Sequence, residues 1–398
     1  MSASVEQGSV GQGSVVRVEQ PTPHELAAGW MFGVLERSPR PAARVSARAA
    51  LEAAMLPALS SGRCFVTFSG GRDSSAVLAV ATAVARRHGL PDPVPVTEYY
   101  PGLPETDEAA WQQAVVEHLH LRDWVRRDAT PGNDLLGEQA VAGLRRRGLL
   151  WPAVLQGRSA LYEPLRGGFV LTGEGGDEVF GRHRVWPVRR ALLGPDRGGL
   201  DGARWALSAV APRAWRSRRL AGAEDRRGDL EWLRPGARAE HCRQVARLAA
   251  QQALSWREAT WRLQFVRPAA LALRHQRIVA AEHEVVSSDP LLDPGFLAAY
   301  AAQGPVAGYP TRTVAMAALF GDLLPVAVLA RTSKASFNRA YFGQRSRDFA
   351  RRWDGSGVDT ALVDPDLLRQ HWLSEQPDIA SFTLLHAAWL AQQSESRP

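Results

Sequence analysis

The heptapeptide Ser69-Gly70-Gly71-Arg72-Asp73-Ser74-Ser75 leaves this chain few ways to fold. It stands between an apolar run, Cys64-Phe65-Val66-Thr67-Phe68, and a stretch from Ser74 to His88 with helical period. In that stretch Val77, Val80, Ala81 and Val84 recur at i, i+3, i+4 and i+7, Arg86 and Arg87 complement the C-terminal end, and Gly89 supplies a stop. A buried strand that turns straight into a helix is the repeating unit of a parallel sheet. Two glycines at the turn allow φ > 0 and close backbone approach, so successive N–H groups can line an anion-binding concavity. The helix N-terminus adds partial positive charge, and the spacing therefore predicts a phosphate site. It is not the Gly-x4-Gly-Lys-Ser/Thr loop, which needs a lysine and a different spacing.

The same alternation continues downstream. An Ala/Leu-rich helix is expected over 44–59, strands over 94–100, 124–125 and 169–172, and a helix over 108–121 with Trp111, Val115 and Leu119 on one stripe. Pro95 weakens the second strand. Strands alternating with helices imply an α/β fold, a doubly wound parallel sheet covered on both faces. Residues 1–24, rich in Gly, Ser, Gln and Val, read as a mobile leader, and 25–398 as the folded domain. Within it, 182–262 differs: arginines cluster there with Trp186, Trp205, Trp215, Trp232, Trp256 and Trp261, which predicts a mainly helical lobe over the sheet edge.

A second loop, Leu171-Thr172-Gly173-Glu174-Gly175-Gly176-Asp177-Glu178, ends the strand at 169–172. Glycines flanking acids expose carboxylates at the carboxyl edge of a sheet, where open α/β folds bind ligands. Asp73 and Asp177 are then placed to share Mg²⁺, which prefers carboxylates together with phosphate oxygens.

The first loop resembles the PP-loop of ATP pyrophosphatases, adenine nucleotide alpha hydrolase-like proteins that cleave ATP between its α and β phosphates. The two loops together resemble the synthetase domain of glutamine-dependent asparagine synthetases and of their relatives, the β-lactam synthetases and lasso-peptide cyclases. That resemblance covers roughly residues 44–345. It implies ATP and Mg²⁺ as cofactors and nucleotide contacts from Phe68, Ser69, Gly70, Gly71, Asp73, Ser74, Ser75, Thr172 and Gly173. It also implies a role for Glu174 in acyl transfer. A third match, Arg331-Thr332-Ser333-Lys334, resembles the family's Arg-x-x-Lys segment, whose lysine stabilises charge during adenylation and amide formation, so Arg331 and Lys334 join Glu174 as catalytic candidates. Lys334 is the only lysine among 48 basic residues, and a compact ammonium can point at one oxygen where a planar guanidinium fits less well.

The match also has gaps. The family's Glu-x-Arg before Pro-Phe-Leu-Asp is replaced here by Val286 and Ser288 ahead of Asp289-Pro290-Leu291-Leu292-Asp293, and its Asp-Arg-x-Ser-Met-Ala helix reads Arg277-Ile278-Val279-Ala280-Ala281. Both changes argue against aspartate as the substrate. β-Lactam synthetases carry Tyr where Glu174 stands. The chain starts Met-Ser rather than with a catalytic cysteine, so no glutaminase activity is expected, and Cys64 falls inside the first strand.

Cys64 and Cys242 lie far apart without a CxxC, and no HExxH occurs, which speaks against a disulfide framework and a zinc hydrolase. No long uncharged apolar run and no apolar signal core appear, so a cytoplasmic protein without a membrane span is expected. The net charge of +7 favours anionic partners. The leading expectation is an AMP-forming amide ligase that acts on a carboxylate substrate. Lasso-type macrolactam closure of a precursor peptide stands ahead of ammonia-dependent amidation of a small carboxylate, with a partner protein that delivers peptide or ammonia. A tRNA-modifying ATP pyrophosphatase is the alternative from another class, although nucleic acid is disfavoured as a partner because the paired cysteines of sulfur-inserting members are absent. A catalytically dead binding module is a third reading.

Overall fold

Five short segments pair into one sheet in the computed structural model, which describes residues 19–129, 133–181, 183–193, 199–225, 230–332, 335 and 337–395. They are β1 (Cys64–Thr67), β2 (Val94–Tyr99), β3 (Val125–Asp128), β4 (Phe169–Leu171) and β5 (Val286–Ser288). Their order is β3-β2-β1-β4-β5, and every neighbouring pair is parallel. Parallel neighbours need crossovers, and the helices between strands supply them. The chain winds outward from β1 through β2 to β3, then returns to the other side of β1 as β4. The strand order therefore reverses between β1 and β4, where doubly wound sheets place their ligands.

Both faces of the sheet are buried, so the central strands are apolar throughout rather than alternating. Val66 and Leu171 point into a core with Leu51 and Met55 of the Ala47–Ser60 helix and Val77 and Val80 of the Arg72–Arg87 helix. Phe65 and Val170 point to the opposite core, with Leu161, Leu165 and Val279. A third cluster joins Ala27 and Ala28 to Trp232, Trp353, Trp372 and Phe382. There the Trp232 indole N–H donates to the Ala27 carbonyl at 2.9 Å.

The expected α/β architecture is present. The helix predicted from Ser74 begins at Arg72 because Gly71, at φ −68° and ψ 158°, serves as its N-cap. The strand predicted at Trp124-Val125 runs instead from Val125 to Asp128. The helix predicted over 108–121 ends at His118, two residues before His120 turns left-handed. β5 was not anticipated. Within the stretch read as a leader, residues 19–24 are tied to the fold: Thr22 N-caps the helix Pro23–Ala28 through a capping box with Glu25, and Glu19 pairs with Arg267 at 2.7 Å. Residues 1–18 lie outside the described residues. The predicted lobe is helical in its described parts, with helices Trp186–Leu193, Gly199–Val210, Arg213–Asp225, Pro235–Ala250 and Trp256–Trp261. Trp232, Trp256 and Trp261 are buried, whereas Trp205 and Trp215 stay exposed and share the Arg219 guanidinium, 5.4 Å from each ring. Cys64 and Cys242 are free and buried. Among the described residues, no helix is long and apolar enough to cross a membrane.

Candidate active site

β1 ends at Thr67, and the backbone that follows is tied down atom by atom. Phe68 donates its N–H to Val96 at 2.8 Å and accepts from the Thr97 hydroxyl at 2.7 Å, which welds the loop's first residue to β2. Gly70 has φ +80°, and a Cβ there would lie 2.9 Å from the Gln112 side chain, so both its backbone angle and its surroundings require glycine. The Ser69 and Ser74 hydroxyls lie 3.2 Å apart, and the Gly71 N–H donates to the Ser69 hydroxyl at 3.2 Å. These weak internal bonds hold the loop while leaving it free to exchange them for the stronger acceptors of a phosphate.

Arg331 secures the loop from outside. Its guanidinium is buried, donates to the Gly70 carbonyl at 2.9 Å, pairs with the equally buried Glu108, and lies 5.0 Å above the Trp111 ring. Arg331 also lines the cleft, yet its guanidinium is committed to positioning Ser69–Ser75. Lys334, Ser333 and Ser336 lie outside the described residues.

β4 delivers the second loop beside the first. Thr172 donates its N–H to Ser288 at 3.0 Å, and its hydroxyl donates to Asp289 at 2.7 Å. Asp289 is buried and also accepts from Arg277 at 2.9 Å and from Gln276 at 3.4 Å. The two loops touch because the second is built of glycine where they meet. A Cβ on Gly173 would lie 2.7 Å from the Ser74 nitrogen, and one on Gly176 only 2.1 Å from the Asp73 carboxyl carbon.

That approach brings Asp73 and Asp177 to one place. Arg312, the first residue of the helix Arg312–Phe320, reaches both, with one guanidinium nitrogen on each carboxylate. Burial pushes the Asp73 carboxyl up, and the hydrogen bond from Arg312 works against it. The other Asp73 oxygen, Oδ1, is buried and makes no hydrogen bond to the described residues. An orphaned carboxylate oxygen on Asp73, with a second carboxylate, Asp177, held on the same guanidinium, fits a hard divalent cation such as Mg²⁺. Among the described residues no cluster of three His, Cys, Asp or Glu side chains could hold a metal on protein ligands alone. A cation here would therefore be held weakly until oxygens brought by its partner complete its shell, as phosphates do for Mg²⁺.

Glu174 lines the same cleft and remains open to it. The surrounding protein desolvates its carboxyl and pushes it above the usual range, Arg158 opposes this, and Asp289, Glu178 and Asp177 add to the rise. Water in the cleft tempers that rise, so a substrate that displaces the water would strengthen it. Arg158 is itself paired with Glu98 at 3.2 Å. The cleft holds about 400 Å³ and brings together Ser69, Gly71, Asp73, Ser74, Thr172, Gly173, Glu174 and Asp177. Phe68 contributes to the same wall, Gly70 holds the turn, and Ser75 is buried behind the loop with its hydroxyl unpaired among the described residues. Arg312, Glu108, Gln276 and Asp289 were not singled out from the sequence. A Thr311 N-cap that places Arg312 at a helix start was the one readable signal for any of them.

A phosphate-cradling turn after β1 and an acidic glycine loop after β4, side by side at the reversal of strand order, define a nucleotide-binding α/β protein. A family model described as asparagine synthase matches residues 46–391. The chain belongs to that family, whose general activity is ATP-dependent ligation. The match runs well past residue 345, so the family domain includes the C-terminal helices that the sequence motifs alone did not reach. No curated protein matches the chain.

Proposed function

We propose that the chain joins a carboxylate to an amine through an acyl-adenylate. The reading is carried by one observation: the Ser69–Ser75 turn, Asp73, Asp177 and Glu174 all open into one cleft. A carboxylate oxygen attacks the α-phosphorus of ATP, and pyrophosphate leaves into the Ser69–Ser75 turn, where backbone N–H groups and the Arg72–Arg87 helix start receive its charge. The amine nitrogen then attacks the acyl carbon, AMP departs, and the nitrogen loses its proton. Glu174, with its carboxyl raised above the usual range, suits the uptake of that proton. Asp73 and Asp177 would hold Mg²⁺, which when bound neutralises phosphate charge. Lys334, at the sequence position of the family lysine, is assigned the oxygen on which negative charge develops.

Ring closure of a peptide is the favoured form of this reaction. Support comes from Val286 and Ser288, which replace the Glu and Arg of the aspartate-using pattern, and from a basic lobe with exposed Trp205 and Trp215 suited to holding a chain rather than a single amino acid. The test supplies ATP, Mg²⁺ and a peptide that carries a free N-terminus and an internal Asp or Glu. AMP, pyrophosphate and a product lighter by one water are expected. ADP as the nucleotide product would refute the adenylate, and an open-chain amide formed only with added ammonia would replace ring closure by simple amidation.

A further inference from the structure

A second cavity, of about 440 Å³, lies behind the acidic loop and is within the size range of small-molecule sites. Its walls are aromatic and fixed. The Trp256 indole is wedged between two glycines: a Cβ on Gly304 would lie 2.1 Å from the ring, and one on Gly308 2.3 Å. Tyr300 and Tyr309 stack at 5.8 Å between centroids, 7° from coplanar, and the Trp186 N–H is anchored on the Pro310 carbonyl at 3.0 Å. None of these rings can swing in to fill the space without breaking such contacts.

His183 lines this cavity, is only 7% exposed, and meets the Trp256 ring edge-on at 6.1 Å. The Val179 carbonyl is its one backbone hydrogen-bond partner among the described residues, at a geometry short of a normal hydrogen bond. Burial holds its pKa below the usual range, so the ring is neutral and offers one N–H and one lone pair. Val179 can engage only one ring nitrogen, so the other, which has no partner among the described residues, is left for a polar atom of a ligand.

The cavity adjoins the nucleotide cleft, since Arg312 and Thr332 line both. Among the described residues that line it, Arg312 alone is charged, and its guanidinium is held by Asp73 and Asp177. An anionic group would thus find no free counter-charge inside. A flat or branched apolar group would find ring faces on several sides.

We propose that this cavity is the side-chain pocket of the ligase substrate, receiving a neutral aromatic or branched apolar residue next to the reacting group and bonding one of its polar atoms through His183. The inference rests on the ligase reading, and it names the substrate class that reading leaves open: a carboxylate or amine partner carrying a bulky neutral residue, not a small diacid.

The full chain is titrated calorimetrically with N-acetyl-L-phenylalaninamide at saturating AMP, and with N-acetyl-L-aspartamide as the polar control. Saturable one-to-one binding of the aromatic probe alone is expected, undisturbed by AMP. His183→Phe, which keeps a ring but removes both nitrogens, should weaken it about 5-fold, the worth of one neutral hydrogen bond. Ala307→Trp, which fills the cavity from its rim, should abolish it. AMP affinity should stay within about twofold in both variants, which shows that they are folded. Absence of saturable binding, displacement by AMP, or equal binding to wild type and both variants would overturn the pocket while leaving the ligase reading intact. Failure of the wild type to bind AMP would instead count against the ligase reading itself.

Discussion

Replacing Arg312 by Gln should make the nucleotide-free protein bind divalent cations more tightly, although it removes a residue of the cleft. Arg312 bridges Asp73 and Asp177, the two carboxylates assigned to the metal, so an entering cation must break both contacts. A hydrogen bond between charged groups is worth about 1.5–3 kcal/mol. The Asp73 arm deserves that range, because the Arg312 and Asp73 side chains are each only 19% exposed. The Asp177 side chain is 54% exposed, and screening by water brings its arm below about 1 kcal/mol. The bridge therefore opposes the cation by about 2–3 kcal/mol, or roughly 30–150-fold in affinity. The assay is Mn²⁺ titration of the full chain without nucleotide, with free Mn²⁺ followed by electron paramagnetic resonance near pH 8. Arg312→Gln should gain affinity by that factor, and adding Asp73→Asn to it should erase the gain. Without metal, pyrophosphate binding should weaken in Arg312→Gln, because the cleft loses a positive charge from its wall. Equal or weaker Mn²⁺ binding in Arg312→Gln would refute the idea that this guanidinium occupies the place of the metal.

Further outcomes follow from other contacts. Arg331→Ala leaves Glu108 buried without its guanidinium partner and should cost about 3–5 kcal/mol in urea unfolding, with loss of nucleotide binding as the Gly70 turn loosens. Arg331→Lys should recover only part of this, since an ammonium cannot serve Glu108, Gly70 and the Trp111 face together. His386 is fully buried, with one nitrogen 2.8 Å from the Leu135 carbonyl, and burial pulls its pKa down from 6.5 to about 4. The folded state thus holds fewer protons there than the unfolded one, so its contribution is complete above pH 6.5 and is lost as pH falls towards 4. Wild type should lose about 2 kcal/mol more than His386→Gln between pH 7 and pH 5, and parallel losses in the two proteins would disprove it. Lys334→Arg should slow single-turnover amide formation nearly as much as Lys334→Ala, by about 10²–10³. A near-wild-type rate in the arginine variant would return Lys334 to a structural role.

The parts of this protein that could be read from sequence are those whose signals are local. An apolar run that stops at two glycines and resumes as a helix has one economical conformation, and β1, its turn and the following helix fall almost where that pattern puts them. The same holds for the glycines and acids after β4. β5 escaped because Val286-Ser287-Ser288 carries no strand signature of its own: Val286 is exposed, and the segment is a strand only because β4 offers it a ladder. The first helix, Pro23–Ala28, escaped for a different reason. Thr22, Pro23 and Glu25 form a readable capping box with proline at the first helical position, but the neighbouring Gly/Ser-rich stretch masked it. Arg312 carries only the Thr311 N-cap as a local signal, which marks a helix start but not, in a chain where arginine is nearly the sole cation, the arginine that meets both Asp73 and Asp177. Arg331 was found by its motif, but only its contacts with Glu108, Trp111 and Gly70 reveal that it braces the loop.

The clamp on Gly70 also sets a timetable. Its two ends, the Gly70 carbonyl and Arg331, are 261 positions apart, and β4 must wait for β5 across more than a hundred residues. A ribosome adding about 5–20 residues per second exposes the glycine turn roughly 10–50 s before the arginine that will brace it exists. Through that interval the nascent chain carries the turn without the Arg331 guanidinium that braces it. Nucleotide binding should accordingly appear late and abruptly as the chain is made, and ribosome-bound chains halted before residue 331 should be conspicuous to chaperones and proteases.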